Sequence, residues 1–426
     1  MKIAVIGGGS TYTPEIIDGM LQRAELFADS EIVLMDIDPQ RLEVVGPFCQ
    51  RMVEHYKSPL RVSTTLDRER ALDGADFVLS QFRVGKQAAR HQDILMGLRH
   101  ELIGQETTGV GGMAKALRTL PVALSICEDM RRLCPEAWLI NFTNPSGLIT
   151  QALLDHGKVN SIGLCNVPTE SLMLVAAVLQ ADPSEVHLDF VGLNHLGWIR
   201  KVLVRGEDHT DKLRAIFDTA EGPANIPDMA YDPWLIDSLG AFPMYYNRYY
   251  YYTDRILEQL KSKDKTRAQE VMLIEQELLE IYRDPAQHTK PAALENRGGA
   301  FYSKIAVDLI ETITNDLGRE HIVNVANAGA IPNLDEQAVV EISCKLNTSG
   351  AVPVATEPLQ DALLALIAPA KAYERLTIEA HCERSRDKAL LALTCNPLGP
   401  TASRAEDVLD DMIEVNGFDY LRGSDR

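Results

Sequence analysis

The chain has 426 residues, 46% hydrophobic and 24% charged, with 42 basic against 61 acidic side chains and a formal net charge of −19. That length carries two domains with full cores, and an acidic surface of this size argues against nucleic acid or an anionic membrane as the main partner. No apolar run reads as a membrane span, Lys2 is followed by only four apolar residues before Gly7, and the seven cysteines contain no CxxC pair, which fits a cytoplasmic protein with reduced thiols.

The first 170 residues alternate strand and helix patterns. Apolar runs predict strands at residues 3–6, 31–35, 77–80, 138–142 and 161–164, and helical periodicity covers 13–23, 39–56 and 113–134. Such alternation implies an α/β fold with a Rossmann-like, doubly wound parallel sheet. The first strand ends in Gly7, Gly8 and Gly9, followed by Ser10, Thr11 and Tyr12 at the start of a helix. Glycines there let the backbone approach a pyrophosphate, and the helix aims its free N–H groups at the anion. The spacing Gly7-x-Gly9-x-x-Tyr12 lacks the usual third glycine, so the motif suggests a dinucleotide without specifying its chemistry. Asp36, just after the second strand, stands where a carboxylate binds the adenosine ribose; its other reading is a turn residue before Pro39.

Beyond residue 185 the character changes. Residues 186–191 and 198–204 predict strands of a second, mixed sheet, and 205–233 read as a polar excursion. Helices are expected at 254–283, 303–315, 359–368 and 370–393, with Pro369 breaking or kinking the chain between the last two. The expected division is a nucleotide-binding domain over 1–170 and a mixed α+β domain with long helices over 171–426.

Polar clusters recur at successive strand ends, where ligands of open α/β sheets bind. One runs from Gln81 to Gly85 and on to Arg90, the next from Asn141 through Asn144 to Gly147, and a third from Gly163 through Cys165 and Asn166 to Pro168. Each also reads as ordinary turn chemistry. Cys165 and His195, the latter between Asn194 and Leu196, are a thiol and an imidazole able to share one divalent metal and leave coordination positions open, although their spacing is too long for a local metal motif and a buried structural cysteine is the commoner reading of Cys165. A glycine-rich stretch from Gly104 to Gly112 reads as a lid or cofactor cover, with Glu106 among its glycines. Six tyrosines crowd residues 245–252, most reading as buried amphipathic rings and one as a candidate base. Arg297, beside Gly298 and Gly299, suits a phosphate or carboxylate.

Taken in order, these segments resemble glycoside hydrolase family 4, and within it the 6-phospho-β-glucosidases. The resemblance rests on residues 7–14, Arg83-Val84-Gly85, Arg90, residues 104–109, Asn144-Pro145, residues 165–168, Leu193-Asn194-His195 and residues 327–333, and it covers nearly the whole chain. It implies a lactate/malate dehydrogenase-like architecture, an NAD held by Gly7, Gly8, Gly9, Ser10, Thr11 and Asp36, and a metal, Mn²⁺ or another divalent ion, held by Cys165 and His195. It further implies Tyr246 as the catalytic base, assisted by Glu106, and Arg90, Asn144, Asn166 and Arg297 as substrate contacts, the arginines on a 6-phosphate. The chemistry so implied is oxidation at C3 of a phosphorylated sugar, loss of the C2 proton, elimination of the aglycone, addition of water and return of the hydride, outside the two-carboxylate scheme of most glycosidases. A homodimer or homotetramer is expected from the same resemblance.

Two departures stand out. Asn166 replaces the Asp that α-specific members carry as a leaving-group acid, which favours the β reading. Lys86 replaces the second of two glycines after Arg83-Val84, where it either adds charge near the phosphate or faces solvent. The competing readings are a lactate- or malate-type 2-hydroxyacid dehydrogenase and a non-catalytic NAD-binding protein.

Overall fold

The computed structural model describes residues 1–218, 230–298 and 301–422. The middle of the polar excursion, 219–229, and the pair Gly299-Ala300 lie outside the described residues. Six parallel strands come first: β1 (Lys2–Ile6), β2 (Glu31–Met35), β3 (Arg61–Thr65), β4 (Phe77–Ser80), β5 (Trp138–Asn141) and β6 (Ser161–Gly163). They lie in the order β3-β2-β1-β4-β5-β6, so the direction of winding reverses between β1 and β4. That reversal opens the crevice in which doubly wound sheets bind nucleotides.

Strand alternation explains why the sheet is buried on both sides. In β1, Ile3 and Val5 join one apolar cluster, while Ala4 and Ile6 join another on the opposite face. β2 repeats this with Ile32 and Leu34 against Val33 and Met35. β3 was not legible in the sequence: Arg-Val-Ser-Thr-Thr is a polar edge strand with no apolar run to announce it.

The second half begins with β7 (Val186–Leu193), β8 (Leu196–Val204), β9 (Glu207–Asp208) and β10 (Phe242–Pro243), a small antiparallel sheet in the order β10-β8-β7 with β9 on β8. Three further strands, β11 (Glu320–Ala326), β12 (Val339–Asn347) and β13 (Gly350–Pro353), do not join it. They extend the first sheet beyond β6 in antiparallel fashion, giving nine strands in all. One apolar cluster runs from Ile3 and Leu34 through Phe190 and Trp198 to Ile342, so the two halves share a core.

Several helical expectations need correction. The predicted break at Pro369 does not occur; one helix, Asp361–Cys382, passes through it, and the chain breaks only at Glu383, before Ser385 caps the next helix. Burial of Ile367, Ala370 and Lys371 on either side of the proline holds the helix together there. The single helix expected over 254–283 is two, Thr253–Ser262 and Arg267–Arg283, because Thr266 and Gln269 form a capping box that starts a new one. Within 205–233, the described residues include a short helix, Leu213–Asp218, as well as β9.

Helix Gly109–Leu133 is long and apolar enough by composition to cross a membrane, contrary to the sequence expectation, but 72% of its apolar window is buried within the protein. It also begins four residues before the periodicity suggested. Its glycines are packing residues: a Cβ at Gly111 would lie 2.3 Å from the carbonyl oxygen of Gly104, and one at Gly112 would lie 2.4 Å from that of Thr107. The stretch read as a lid or cover is therefore packed tightly against its own helix.

Candidate active site

The carboxyl ends of β1, β2, β4, β5 and β6 converge on one cavity of about 710 Å³. Arg41, Arg68, Arg83, Lys86, Arg90, Lys115, Arg267 and Arg297 line it, against only Asp36, Glu106 and Glu275. In a chain of net charge −19, this concentration of positive charge suits polyanionic ligands.

At one end lies the glycine turn. The amides of Gly7 and Gly8 both donate to Met35 O, at 2.9 and 2.7 Å. Gly7 has φ +91°, and a Cβ there would come within 2.8 Å of Phe82 N. Gly7→Ala is therefore expected to destabilise the fold by about 1–3 kcal/mol, read as a lower midpoint in urea. Gly9 N donates to Asp36 Oδ2 at 2.9 Å, while Asp38 N donates to Oδ1 at 3.0 Å. Asp36 is thus fixed at the end of β2 and lines the cavity. Gly7, Ser10 and Tyr12 also line it, whereas Gly8, Gly9 and Thr11 stand behind the surface. Tyr12, in the missing glycine's place, meets Tyr302 edge-on with ring centroids 6.3 Å apart.

Arg297 belongs to this end. Its Nε donates to Thr11 Oγ1 at 2.7 Å, and Glu275 bridges it to Arg41, with contacts of 3.3 and 2.6 Å. Lys86 pairs with Asp38 at 2.5 Å, so its charge is spent beside β2.

The other end holds a buried ionic cluster. Glu106 accepts from Arg83 and, at 2.7 Å, from Lys115, and forms an ion pair with Arg90 at 3.2 Å. Burial opposes its charge, but the three cations outweigh burial and hold the carboxyl well below the usual range. The same crowding works against Lys115: burial, then Arg83, pushes its ammonium down to about 7. Lys115 escaped the sequence reading because it sits in an otherwise apolar helical run.

His195 is at the tip of the two-residue turn between β7 and β8, with φ +64°, a conformation costly for a residue with a side chain and common at functional sites. Burial drives its pKa down to about 3, so the imidazole is neutral, the form that binds metals. Its Nδ1 has no hydrogen-bond partner among the described residues. The ring stacks on Tyr246, centroids 3.5 Å apart and planes 8° from parallel. Both rings line the cavity, as do Asn144 and Asn166.

Asn144 Oδ1 is buried without a partner, while Asn141 is spent inside the turn, receiving Ser80 Oγ at 2.8 Å. Asn166 donates to Glu170 one helical turn on, whose carboxyl burial raises to about 7. Cys165 is fully buried behind this wall; burial, then Glu341, pushes its thiol well above the usual value, with the Asn194 side chain working the other way. A buried thiol and a neutral imidazole whose Nδ1 has no partner among the described residues fit a divalent metal with open positions. No group of three or more His, Cys, Asp or Glu positioned to hold a metal occurs among the described residues.

The sheet order, the glycine turn and the cationic cavity together define a dinucleotide-binding enzyme with room for a second anionic ligand. The comparisons narrow this. Residues 2–181 match the model of the family 4 glycosyl hydrolases, and residues 190–399 match that family's C-terminal domain. The chain belongs to glycosyl hydrolase family 4. It is 40% identical over 425 residues to a probable 6-phospho-β-glucosidase of Bacillus subtilis, covering 98% of this chain and 96% of the relative. The 6-phospho-β-glucosidase of Thermotoga maritima, solved with NAD and glucose 6-phosphate, superposes with a TM-score of 0.92 at 38% identity over the full length of both chains; a further structure of that enzyme also contains manganese. A malate dehydrogenase of Cryptosporidium parvum, at 14% identity and a TM-score of 0.54 over 90% of this chain and 99% of its own, shares the fold alone.

Proposed function

We propose that the chain hydrolyses 6-phospho-β-glucosides, such as phosphorylated β-linked disaccharides, to glucose 6-phosphate and the aglycone, with NAD⁺ and a divalent metal, Mn²⁺ foremost. The observation that carries this reading is the stacked pair His195 and Tyr246 in the same cationic cavity as the glycine turn, with Cys165 buried behind the wall. Bound NAD⁺ would supply reversible hydride acceptance at C3 of the sugar and end each turnover unchanged. A metal held by Cys165 and His195 would supply a Lewis acid for the C2 and C3 oxygens.

The chain's own residues do the rest. Tyr246 removes the C2 proton, the step that lets the C1–oxygen bond break by elimination. Its phenol needs nearby positive charge to act near neutrality, and Arg90 interacts electrostatically with it. Arg90, Asn144 and Asn166 hold the sugar and its phosphate. Arg297, bonded to Ser10 and Thr11, brings its charge to the junction of sugar phosphate and glycine turn. Glu106 neutralises one of three clustered cations and fixes the arginines in place. Asn166 has no acidic proton to give, so the leaving oxygen is protonated by water or another group. A cytoplasmic location and a homo-oligomeric state complete the proposal.

The test is an assay on a chromogenic 6-phospho-β-glucoside with protein exhaustively dialysed against chelator. The expected result is no turnover until both NAD⁺ and Mn²⁺ are returned, and no net NADH. Turnover in the absence of both would overturn the proposal, and steady NADH accumulation from a 2-hydroxy acid would replace it with a dehydrogenase.

A further inference from the structure

Glu341 lies on β12 and is 2% exposed. That strand alternates Val340, Ile342, Cys344 and Leu346 with Glu341, Ser343 and Lys345. Its polar face should meet water, yet Glu341 and Ser343 are both buried. Ser343 has a structural partner, donating to Leu188 O at 3.0 Å. Glu341 forms no ion pair among the described residues; its Oε1 instead accepts from Asn194 Nδ2 at 3.2 Å and from Asn324 Nδ2 at 2.8 Å.

These two amides belong to different parts of the site. Asn194 precedes His195 in the hairpin turn between β7 and β8. Asn324 pairs with Gly163 where β11 joins β6, two residues before Cys165, and donates to Gly163 O at 3.4 Å. One carboxylate therefore touches the support of both the imidazole and the thiol.

Both amides turn their N–H groups toward the carboxylate, which leaves Asn194 Oδ1 and Asn324 Oδ1 buried and without a partner among the described residues. Orphan acceptors are costly, so something must fix this orientation. The Glu341 Oε1 acceptor does: reversing either amide would set oxygen against oxygen.

We propose that Glu341 is a positioning residue for the metal ligands, holding Asn194 and Asn324 from one carboxyl oxygen so that the His195 turn is fixed against the strand end that leads to Cys165. This rests on the reading of Cys165 and His195 as the metal pair. It also gives the antiparallel extension of the sheet a purpose: β11 and β12 build the wall behind the ligands. Groups behind a metal's direct ligands set ligand orientation and affinity, and their loss costs roughly 10–100-fold in binding.

The test uses Co²⁺ as the probe, titrated into metal-free full-length protein, with thiolate-to-Co²⁺ charge-transfer absorption as the readout and near-UV circular dichroism confirming the fold. Wild type should develop the band, and Cys165→Ser should lack it. Glu341→Gln should reach the same band at saturation but require roughly 10–100-fold more Co²⁺. Asn324→Ala, which frees the carboxylate on its far side without touching Asn194, should shift the midpoint in the same direction by less. A merely structural role would lower the thermal midpoint of these variants and leave the Co²⁺ midpoint of the folded protein unmoved, and that result overturns the proposal. A band that persists in Cys165→Ser instead overturns the assignment of the metal pair itself.

Discussion

Tyr246→Phe should lower kcat by about 10²–10⁴-fold, the range for loss of a general base, while glucose 6-phosphate binds nearly as in the wild type. The substitution deletes only the hydroxyl. The ring stays to stack on His195 at 3.5 Å and against Tyr249 at 6.3 Å, so the wall of the cavity keeps its shape. The residues assigned to substrate binding, Arg90, Asn144 and Asn166, lie on other elements. Pre-steady-state and binding measurements on this variant separate the two effects. A variant with normal kcat would remove Tyr246 from the chemistry, and one with normal kcat but weakened binding would make it a substrate contact.

Cys165→Ser should raise the Mn²⁺ concentration for half-maximal activity by more than about a hundredfold, since a direct ligand matters at least as much as the groups behind it. Serine nearly matches cysteine in volume, so packing at this fully buried position is little disturbed. The donor changes, however: a hydroxyl does not ionise near neutrality and is a poorer partner for a transition metal than a thiolate. Burial already pushes the Cys165 thiol well above its usual pKa, so a bound cation is the natural means of keeping it ionised. An unchanged Mn²⁺ requirement would take Cys165 out of the ligand set.

The parallel half of the fold was legible because its strands are short apolar runs separated by helical periodicity; the run at 77–80 matches β4. β11 and β12 were missed for a physical reason. Their polar positions, Asn324, Glu341 and Ser343, are buried rather than solvated, so alternation between polar and apolar residues did not translate into surface and core. The candidate site was legible at strand ends, where Asp36, Asn144 and Asn166 line the cavity. Lys115 and Glu275 were not: Lys115 sits in an otherwise apolar helical run, and Glu275 reads as part of a solvated helix face until the structure turns it inward. Arg297 was recognised as an anion-binding residue, but only the three-dimensional arrangement puts it on Thr11 and Glu275, apart from the cluster that holds Arg90.

The central claim is that hydrolysis proceeds through loss of the proton at C2 of the sugar. Turnover of a chromogenic 6-phospho-β-glucoside in D₂O, with NAD⁺ and Mn²⁺ present, tests it most directly when the glucose 6-phosphate released is examined by NMR. The account predicts deuterium at C2 of the product, and a slower reaction for substrate labelled with deuterium at that carbon. Product that keeps its original C2 hydrogen in full, formed at a rate indifferent to C2 labelling, would contradict it.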